Sequence, residues 1–158
     1  MCHARRCCFC LSLRAGCVLI SLFSIFSCVL NIDYILWVVD DSRDAKIYFP
    51  EFTNSNVILQ MVPEFATFVA SVSLFIYAVG YCKFLVLTYV VITVAQISYF
   101  VLYSIVSTVM GTNLIVNAGK PHIIAYWLYL PYNLGTSLYF IYIALSYDQQ
   151  QRLAQRQN

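Results

Sequence analysis

The sequence predicts an all-α membrane protein, built as a bundle of four transmembrane helices with both termini in the cytoplasm. Three observations support this fold class. Hydrophobic residues make up 61% of the chain and charged residues 10%, against about 25% charged in a typical globular domain. Four long stretches contain no charged residue, and the basic residues are distributed unevenly on the two sides of these stretches.

Each uncharged stretch is long enough, with modest extension, for a helix that crosses a bilayer, which needs roughly 20 mostly apolar residues. The stretches are 15–32, 65–82, 84–119 and 121–147. The helices expected from them cover about 16–38, 57–80, 84–110 and 122–146. The chain then divides into a cytoplasmic N-terminus, a four-helix transmembrane domain and a cytoplasmic polar tail, at 1–15, 16–147 and 148–158.

The basic residues set the expected orientation. Six of the nine lie before the first stretch, between the second and third, or after the fourth: Arg5, Arg6, Arg14, Lys83, Arg152 and Arg156. The other three are Arg43, Lys46 and Lys120. Basic residues in short loops favour the cytoplasmic side, so both termini are predicted inside. The net charge of +2 lacks the basic stripe typical of nucleic-acid binding.

The first helix is expected to remain as a membrane anchor. Its apolar stretch continues to Leu30, beyond the 7 to 15 residues of a cleaved signal segment. Asp33 interrupts the stretch and residues 34–39 resume it. Tyr34 and Trp37 suit the aromatic belt at the membrane surface.

The later helices are bounded by turn signals. A tight turn at 81–83 predicts an antiparallel hairpin of the second and third helices. Gly, Asn and Pro residues between 111 and 121 predict the outer connection before the fourth helix. Pro63 suits a helix start, where its missing N–H has no partner to lose, and Pro131 is expected to kink the fourth helix.

Asp33 and Glu64 are candidates for an intramembrane acidic pair. If the first helix ends at Val39 and the second begins at Val57, both carboxyls lie roughly 10 Å inside the outer surface at 1.5 Å per residue. An ionisable residue at that depth marks a functional site, here a proton or cation site with one carboxyl held protonated by its neighbour.

The alternative is that the first helix ends near Ile32 and the second begins near Pro63. Both acids then lie in the headgroup region and the outer loop is longer. The sequence favours this alternative because it offers no cationic partner at the depth of the acids.

Polar residues recur at helical spacing on the third and fourth helices. Those expected to pack between helices are Gln96, Tyr103, Ser107, Tyr129 and Asn133. Residues three or four apart share a helix face, and hydrogen bonds between such residues help to hold membrane helices together. Gln96 and Asn133 are expected near the bilayer centre, where they can bond to each other. A solute pathway would show a similar pattern, usually with more charge.

The cysteines cluster in the N-terminal segment, and none lies in a predicted outer loop. We therefore expect no structural disulfide, which needs an oxidising compartment. Juxtamembrane cysteines are candidates for S-acylation, namely Cys7, Cys8, Cys10 and Cys17. Unmodified thiols are a second interpretation. A metal site that includes Cys2 and His3 is a third, although the spacing fits zinc poorly.

Catalytic motifs are missing from the sequence. It contains no Gly-rich phosphate loop, no His-Glu-x-x-His motif and no Ser/His/Asp set with a plausible base. We therefore expect no enzymatic activity, no cofactor and no metal. The expected partners are the lipid bilayer and other membrane proteins.

The N-terminal run Cys-Cys-Phe-Cys-Leu-Ser-Leu-Arg-Ala-Gly-Cys, from Cys7 to Cys17, resembles the start of small arthropod four-pass proteins of the Pasiflora septate-junction type. The resemblance covers this motif and the four-helix plan. It implies a claudin-like structural role at the lateral plasma membrane, in junctions that seal epithelia and the glial barrier. The contact surface for junctional proteins would be the first outer loop, with Trp37, Asp40, Asp41 and Asp44.

A similar Cys-rich entry occurs in lysosome-associated four-pass proteins of the LAPTM type. This second resemblance implies an endolysosomal adaptor or transporter accessory protein that binds ubiquitin ligases through Pro-Tyr motifs. The tail at 148–158 contains no Pro, so the chain departs from that pattern. A junctional role is the leading hypothesis and an endolysosomal role the second. A small proton or cation carrier that uses Asp33 and Glu64 is the third.

Overall fold

A computed structural model describes residues 11–44, 54–80 and 83–157 of the chain. These residues are almost entirely helical, which confirms the predicted all-α class. The helices are α1 (Leu13–Asp44), α2 (Asn54–Gly80), α3 (Lys83–Val109), α4 (Leu114–Asn117) and α5 (Lys120–Gln157). Three segments are long and apolar enough to cross a membrane: Leu13–Asp40, Ser55–Gly80 and Phe84–Asn117.

The four long helices form an antiparallel bundle. α1 packs on α2, α2 packs on α3, and α5 contacts both α1 and α3 to close the bundle. α2 ends at Gly80 and α3 begins at Lys83, as the tight turn predicted there requires. We call the end that holds the start of α1 and the end of α5 the terminal end. The opposite end contains α4 and is called the plug end.

α1 and α2 extend past the acidic residues that interrupt their apolar stretches. α1 continues through Asp33 to Asp44, and α2 begins at Asn54, more than two turns before Pro63. The favoured alternative, with helix ends near Ile32 and Pro63, is therefore wrong. It was favoured because no basic residue lies at the depth of the acids, yet Glu64 is buried without an ion-pair partner among the described residues.

Pro63 is tolerated inside α2 because a neighbouring helix replaces the hydrogen bond that it removes. A proline inside a helix leaves the carbonyl four residues earlier without its N–H donor, here the carbonyl of Leu59. The hydroxyl of Tyr99 on α3 donates to that carbonyl at 2.9 Å. Proline is tolerated within membrane helices when a neighbouring group hydrogen-bonds to the carbonyl that it leaves unpaired. α5 likewise continues as a helix through Pro131.

The terminal end is held by a buried cluster and two polar contacts. Tyr77 and Tyr147 pack edge to face, with ring centroids 5.5 Å apart, inside a core that also buries Leu74. The Tyr77 hydroxyl donates to Asp148 Oδ1 at 3.1 Å, and Arg152 Nε bonds the other oxygen of that carboxylate at 2.6 Å. The predicted polar tail thus begins as an ordered part of α5.

Arg14 adds a contact between α1 and the end of α2. Its Nε donates to the carbonyl of Ala78 at 3.1 Å. The last carbonyls of a helix lack intrahelical partners, and a cation there is favourable for the helix dipole. The start of α1 is therefore fixed against the end of α2.

The outer surface of the bundle is apolar. Large side chains such as Phe26, Leu102 and Leu128 are 62%, 64% and 67% exposed. Soluble monomers rarely expose large contiguous apolar patches. This surface, with the three candidate spans, indicates an integral membrane protein, and lipid acyl chains are the natural cover for it.

Candidate functional site

The connection between α3 and α5 folds back into the plug end of the bundle. Gly111 adopts φ +67°, a conformation that glycine reaches without strain. The fully buried Asn113 then caps α4: its Oδ1 accepts from the Val116 N–H at 3.1 Å. Its Nδ2 donates to Ser107 Oγ at 3.0 Å. We call residues 113–117 the plug, because Leu114 and Ile115 are buried in the bundle.

Glu64 lies on α2 inside the bundle and is 7% exposed. Asn31 on α1 donates from Nδ2 to Glu64 Oε2 at 3.4 Å, and the same amide group donates to the hydroxyl of Tyr129 on α5. Asn133 Nδ2 also donates to that hydroxyl, at 3.0 Å. Within the described ranges, no basic side chain forms an ion pair with Glu64. One polar network therefore joins α1, α2 and α5 around an unpaired carboxyl.

The lack of a basic partner limits the states that this carboxyl can adopt. An ionised carboxylate in a low-dielectric interior costs several kcal/mol, and one hydrogen bond of 3.4 Å compensates little of that. Two states avoid this cost: a protonated carboxyl, or a carboxylate beside a bound cation. Both are states that a binding or transfer site uses, and this makes Glu64 the centre of the candidate site.

A cavity of about 260 Å³ lies beside Glu64, beneath the plug. Its polar lining consists of one carboxyl, two amides and four tyrosines, joined by apolar side chains. The lining residues are Asn31, Tyr34, Ile35, Gln60, Pro63, Glu64, Phe100, Tyr103, Ile115, Ala125, Tyr126 and Tyr129. Glu64 and Tyr129 also line a smaller cavity of about 40 Å³, together with Asn133. Glu64 thus lines both cavities.

Gln60 connects the cavity to the plug. It lies one helical turn before Glu64 and is 4% exposed, and its Oε1 accepts from the Leu114 N–H at 3.2 Å. Gln60 Nε2 has no hydrogen-bond partner in the part of the chain that the structure describes. Most buried polar groups are paired, so an unpaired amide donor beside a cavity points to a ligand.

Asp33 and Glu64 do not form an acidic pair. Asp33 is exposed and borders an open groove with Trp37, Asp40 and Val57. The reason is helical phase: two residues along a helix correspond to a rotation of about 200°. Since Asn31 faces into the bundle, Asp33 faces out. The sequence-based estimate placed both acids at one depth but carried no information on direction.

Several of the polar residues predicted to pack between the third and fourth helices belong to the candidate site. Tyr103 lines the cavity, Ser107 accepts from the plug, and Tyr129 and Asn133 belong to the Glu64 network. Gln96 is buried, but Asn133 bonds to Tyr129 and not to Gln96.

The polar contact between α3 and α5 is made by a different pair. The hydroxyls of Ser104 and Tyr126 are 2.7 Å apart. The choice of partners between the two helices depends on how each helix is rotated about its axis, which residue spacing does not determine.

Cys17 is fully buried in the core at the terminal end. Acylation requires access to the thiol, so its position argues against Cys17 as an acylation site. The other three candidates, Cys7, Cys8 and Cys10, lie outside the described residues.

The residues expected in the first outer loop lie instead on the last turns of α1, which continues to Asp44. Trp37 is 55% exposed, and its ring centroid is 6.2 Å from those of Tyr34 and His122. The Tyr34 hydroxyl bonds His122 Nδ1, which ties the end of α1 to the start of α5. Nothing in the sequence indicated this role for His122.

No protein-family model, curated protein or solved structure matches this chain. The proposal of a function therefore depends on the geometry of the molecule and on the N-terminal resemblance.

Replacing Gln60 by Leu should loosen the plug. The substitution removes the acceptor of the Leu114 N–H, and a buried donor left unpaired costs about 1–3 kcal/mol. We expect amide hydrogen exchange at residues 113–117 to become about tenfold faster or more. Gln96→Leu is the matched control, since Gln96 is a buried glutamine that does not contact the plug. Equal exchange in the Gln60→Leu variant and the original chain would contradict the role of Gln60.

Proposed function

We propose that the chain is a non-enzymatic four-pass membrane protein that acts by lateral association with transmembrane helices of other membrane proteins. α5 is its fourth span, and both termini lie in the cytoplasm. The support for the fourth span is packing. α5 contacts both α1 and α3, and residues 121–147 carry no charge. A helix that runs beside membrane-spanning neighbours crosses the same hydrocarbon layer.

The polar residues of α5 are compatible with a span because many of them are used inside the bundle. Tyr126 bonds Ser104, and Tyr129 bonds Asn31 and Asn133. Polar groups in a membrane helix are tolerated when neighbouring helices satisfy them. These contacts explain how a helix of modest hydropathy fits the bundle.

The charge distribution supports the proposed orientation. The terminal end holds Arg14, Lys83, Arg152 and Arg156, whereas Arg43 and Lys120 lie at the plug end. Basic residues near the ends of spans favour the cytoplasmic side. The terminal end is therefore the cytoplasmic one in this proposal.

Epitope tags at the two termini test this topology. In intact cells both tags should be inaccessible to antibody, and both should become accessible when the plasma membrane is permeabilised. Tags on opposite sides of the membrane would show that α5 does not cross, and surface accessibility of both would reverse the orientation.

Gly135 on α5 is the observation that supports lateral association. It is exposed, and a Cβ added there would meet no atom of the described residues within 4 Å. Packing among those residues therefore does not require glycine, although glycine in a helix costs about 1 kcal/mol relative to alanine. Small residues on membrane helices let a second helix approach closely. Gly135 is flanked on the same face by Tyr132 and Tyr139, which are 54% and 42% exposed.

The lateral membrane at cell junctions is the proposed location. The N-terminal resemblance to septate-junction proteins favours it, and the exposed Trp37 and Asp40 at the plug end would face the outside in the proposed orientation. These side chains, with Asp41 and Asp44, are the proposed contacts to junctional proteins.

Substitution of Gly135 by Leu tests the association directly. In a polarised epithelium the tagged chain should localise to the lateral membrane and cross-link to junctional membrane proteins. Gly135→Leu should reduce the cross-linked fraction roughly 5- to 30-fold, if the interface is worth about 1–2 kcal/mol. The surface level should stay unchanged.

Ala95→Leu is the matched control for this test. Ala95 is also a small exposed residue, on α3, and it lies at a similar distance from the terminal end. The Ala95→Leu substitution should leave cross-linking unchanged. Equal cross-linking in both variants would contradict the α5 interface, and intracellular puncta in place of lateral staining would favour the endolysosomal alternative.

A further inference from the structure

We propose that the cavity beneath the plug binds a small organic ammonium ion that also carries an oxygen acceptor. Glu64 supplies the negative charge, and the tyrosine rings and Phe100 supply the faces that stabilise a cation. This inference concerns the interior of the bundle and does not depend on the lateral association proposed above.

The charge of the ligand follows from Glu64. The carboxyl is 7% exposed, receives one long hydrogen bond from Asn31 and has no ion-pair partner within the described ranges. A cation in the cavity would replace the missing partner. Tyr103, Tyr126 and Phe100 line the same cavity, and aromatic faces attract cations, quaternary ammonium groups above all.

The volume and the donor set distinguish an organic cation from a metal ion. A cavity of about 260 Å³ is several times the roughly 30 Å³ that one water occupies, and is larger than a dehydrated metal ion needs. Calcium takes six to eight oxygen ligands, usually with several carboxylates. Among the described residues, Glu64 is the one carboxylate in this lining, and there is no metal-binding group of three acidic, His or Cys residues.

The oxygen acceptor on the ligand follows from Gln60. The Leu114 N–H fixes which end of its amide is the oxygen, so the end without a partner is the Nε2 donor. Gln60 and Glu64 are four residues apart on α2 and share one face, with Cβ atoms about 5–6 Å apart. A ligand that reaches both carries its ammonium group and its oxygen within about one helical turn of each other.

Binding of choline by the full chain in lipid nanodiscs tests this proposal. Choline has a trimethylammonium group and a hydroxyl, and 3,3-dimethylbutan-1-ol is its uncharged isostere. Titration calorimetry should show saturable binding of choline and at least about tenfold weaker binding of the isostere. Failure of choline, ethanolamine and tetramethylammonium alike to bind at millimolar concentration would overturn the proposal, as would equal binding of choline and the isostere.

Variants test the two proposed contacts, that of Glu64 with the ammonium group and that of Gln60 with the oxygen of the ligand. Glu64→Gln should weaken choline at least about tenfold, because it removes the negative charge opposite the trimethylammonium group, which has no N–H to donate. Asp33→Asn should leave binding unchanged because Asp33 lies outside the cavity. Gln60→Leu should weaken choline more than tetramethylammonium, which has no oxygen. Size-exclusion profiles verify that each variant is folded. Unaltered choline binding in folded Glu64→Gln would overturn the assignment.

The lipid composition of the nanodisc distinguishes a free amine from a lipid headgroup as the ligand of the cavity. Nanodiscs of phosphatidylglycerol contain no ammonium headgroup, whereas those of phosphatidylcholine do. Equal choline affinity in both supports the site for a free amine. Weaker affinity in phosphatidylcholine supports it for a lipid headgroup that competes with choline.

Discussion

The carboxyl of Glu64, which is buried and has no ion-pair partner among the described residues, constrains the helices around it. Asn31 must face it from α1, and Tyr129 must reach the same amide from α5. These contacts fix the rotation of three helices about their axes. Once α1 has that rotation, Asp33 faces outward. The position of one buried acid thus determines which polar residues lie inside the bundle and which lie on its surface.

The same constraint acts on the backbone. A hydrogen-bonding group inside a membrane must find its partner within the protein, and the structure meets this requirement in two irregular places. Tyr99 donates to the carbonyl that Pro63 leaves without an N–H. Gln60 and Asn113 satisfy N–H groups at the start of the plug. Both repairs lie close to the cavity, so the irregular backbone shapes the site and the polar side chains stabilise it.

The sequence predicted the number of long helices well, since long gaps between charges reveal apolar segments. It predicted helix ends less well. The favoured alternative placed boundaries near Asp33 and Pro63, whereas tertiary contacts allow α1 and α2 to pass both residues, as the ranges 16–38 and 57–80 do. It identified Tyr103, Tyr129 and Asn133 as interior residues from their spacing. It did not reveal the plug, because four residues of helix held by contacts from other elements leave no periodic pattern.

The central claim is that Asn31 and Glu64 contact each other inside the bundle and stabilise it together. A double-mutant cycle with Asn31→Leu and Glu64→Leu, measured by reversible unfolding in lipid–detergent micelles, tests it most directly. Residues in contact show coupling energies of about 0.5–3 kcal/mol. We predict that the double variant loses at least about 0.5 kcal/mol less stability than the sum of the two single losses. Strict additivity would show that the two residues do not interact, and would contradict the account.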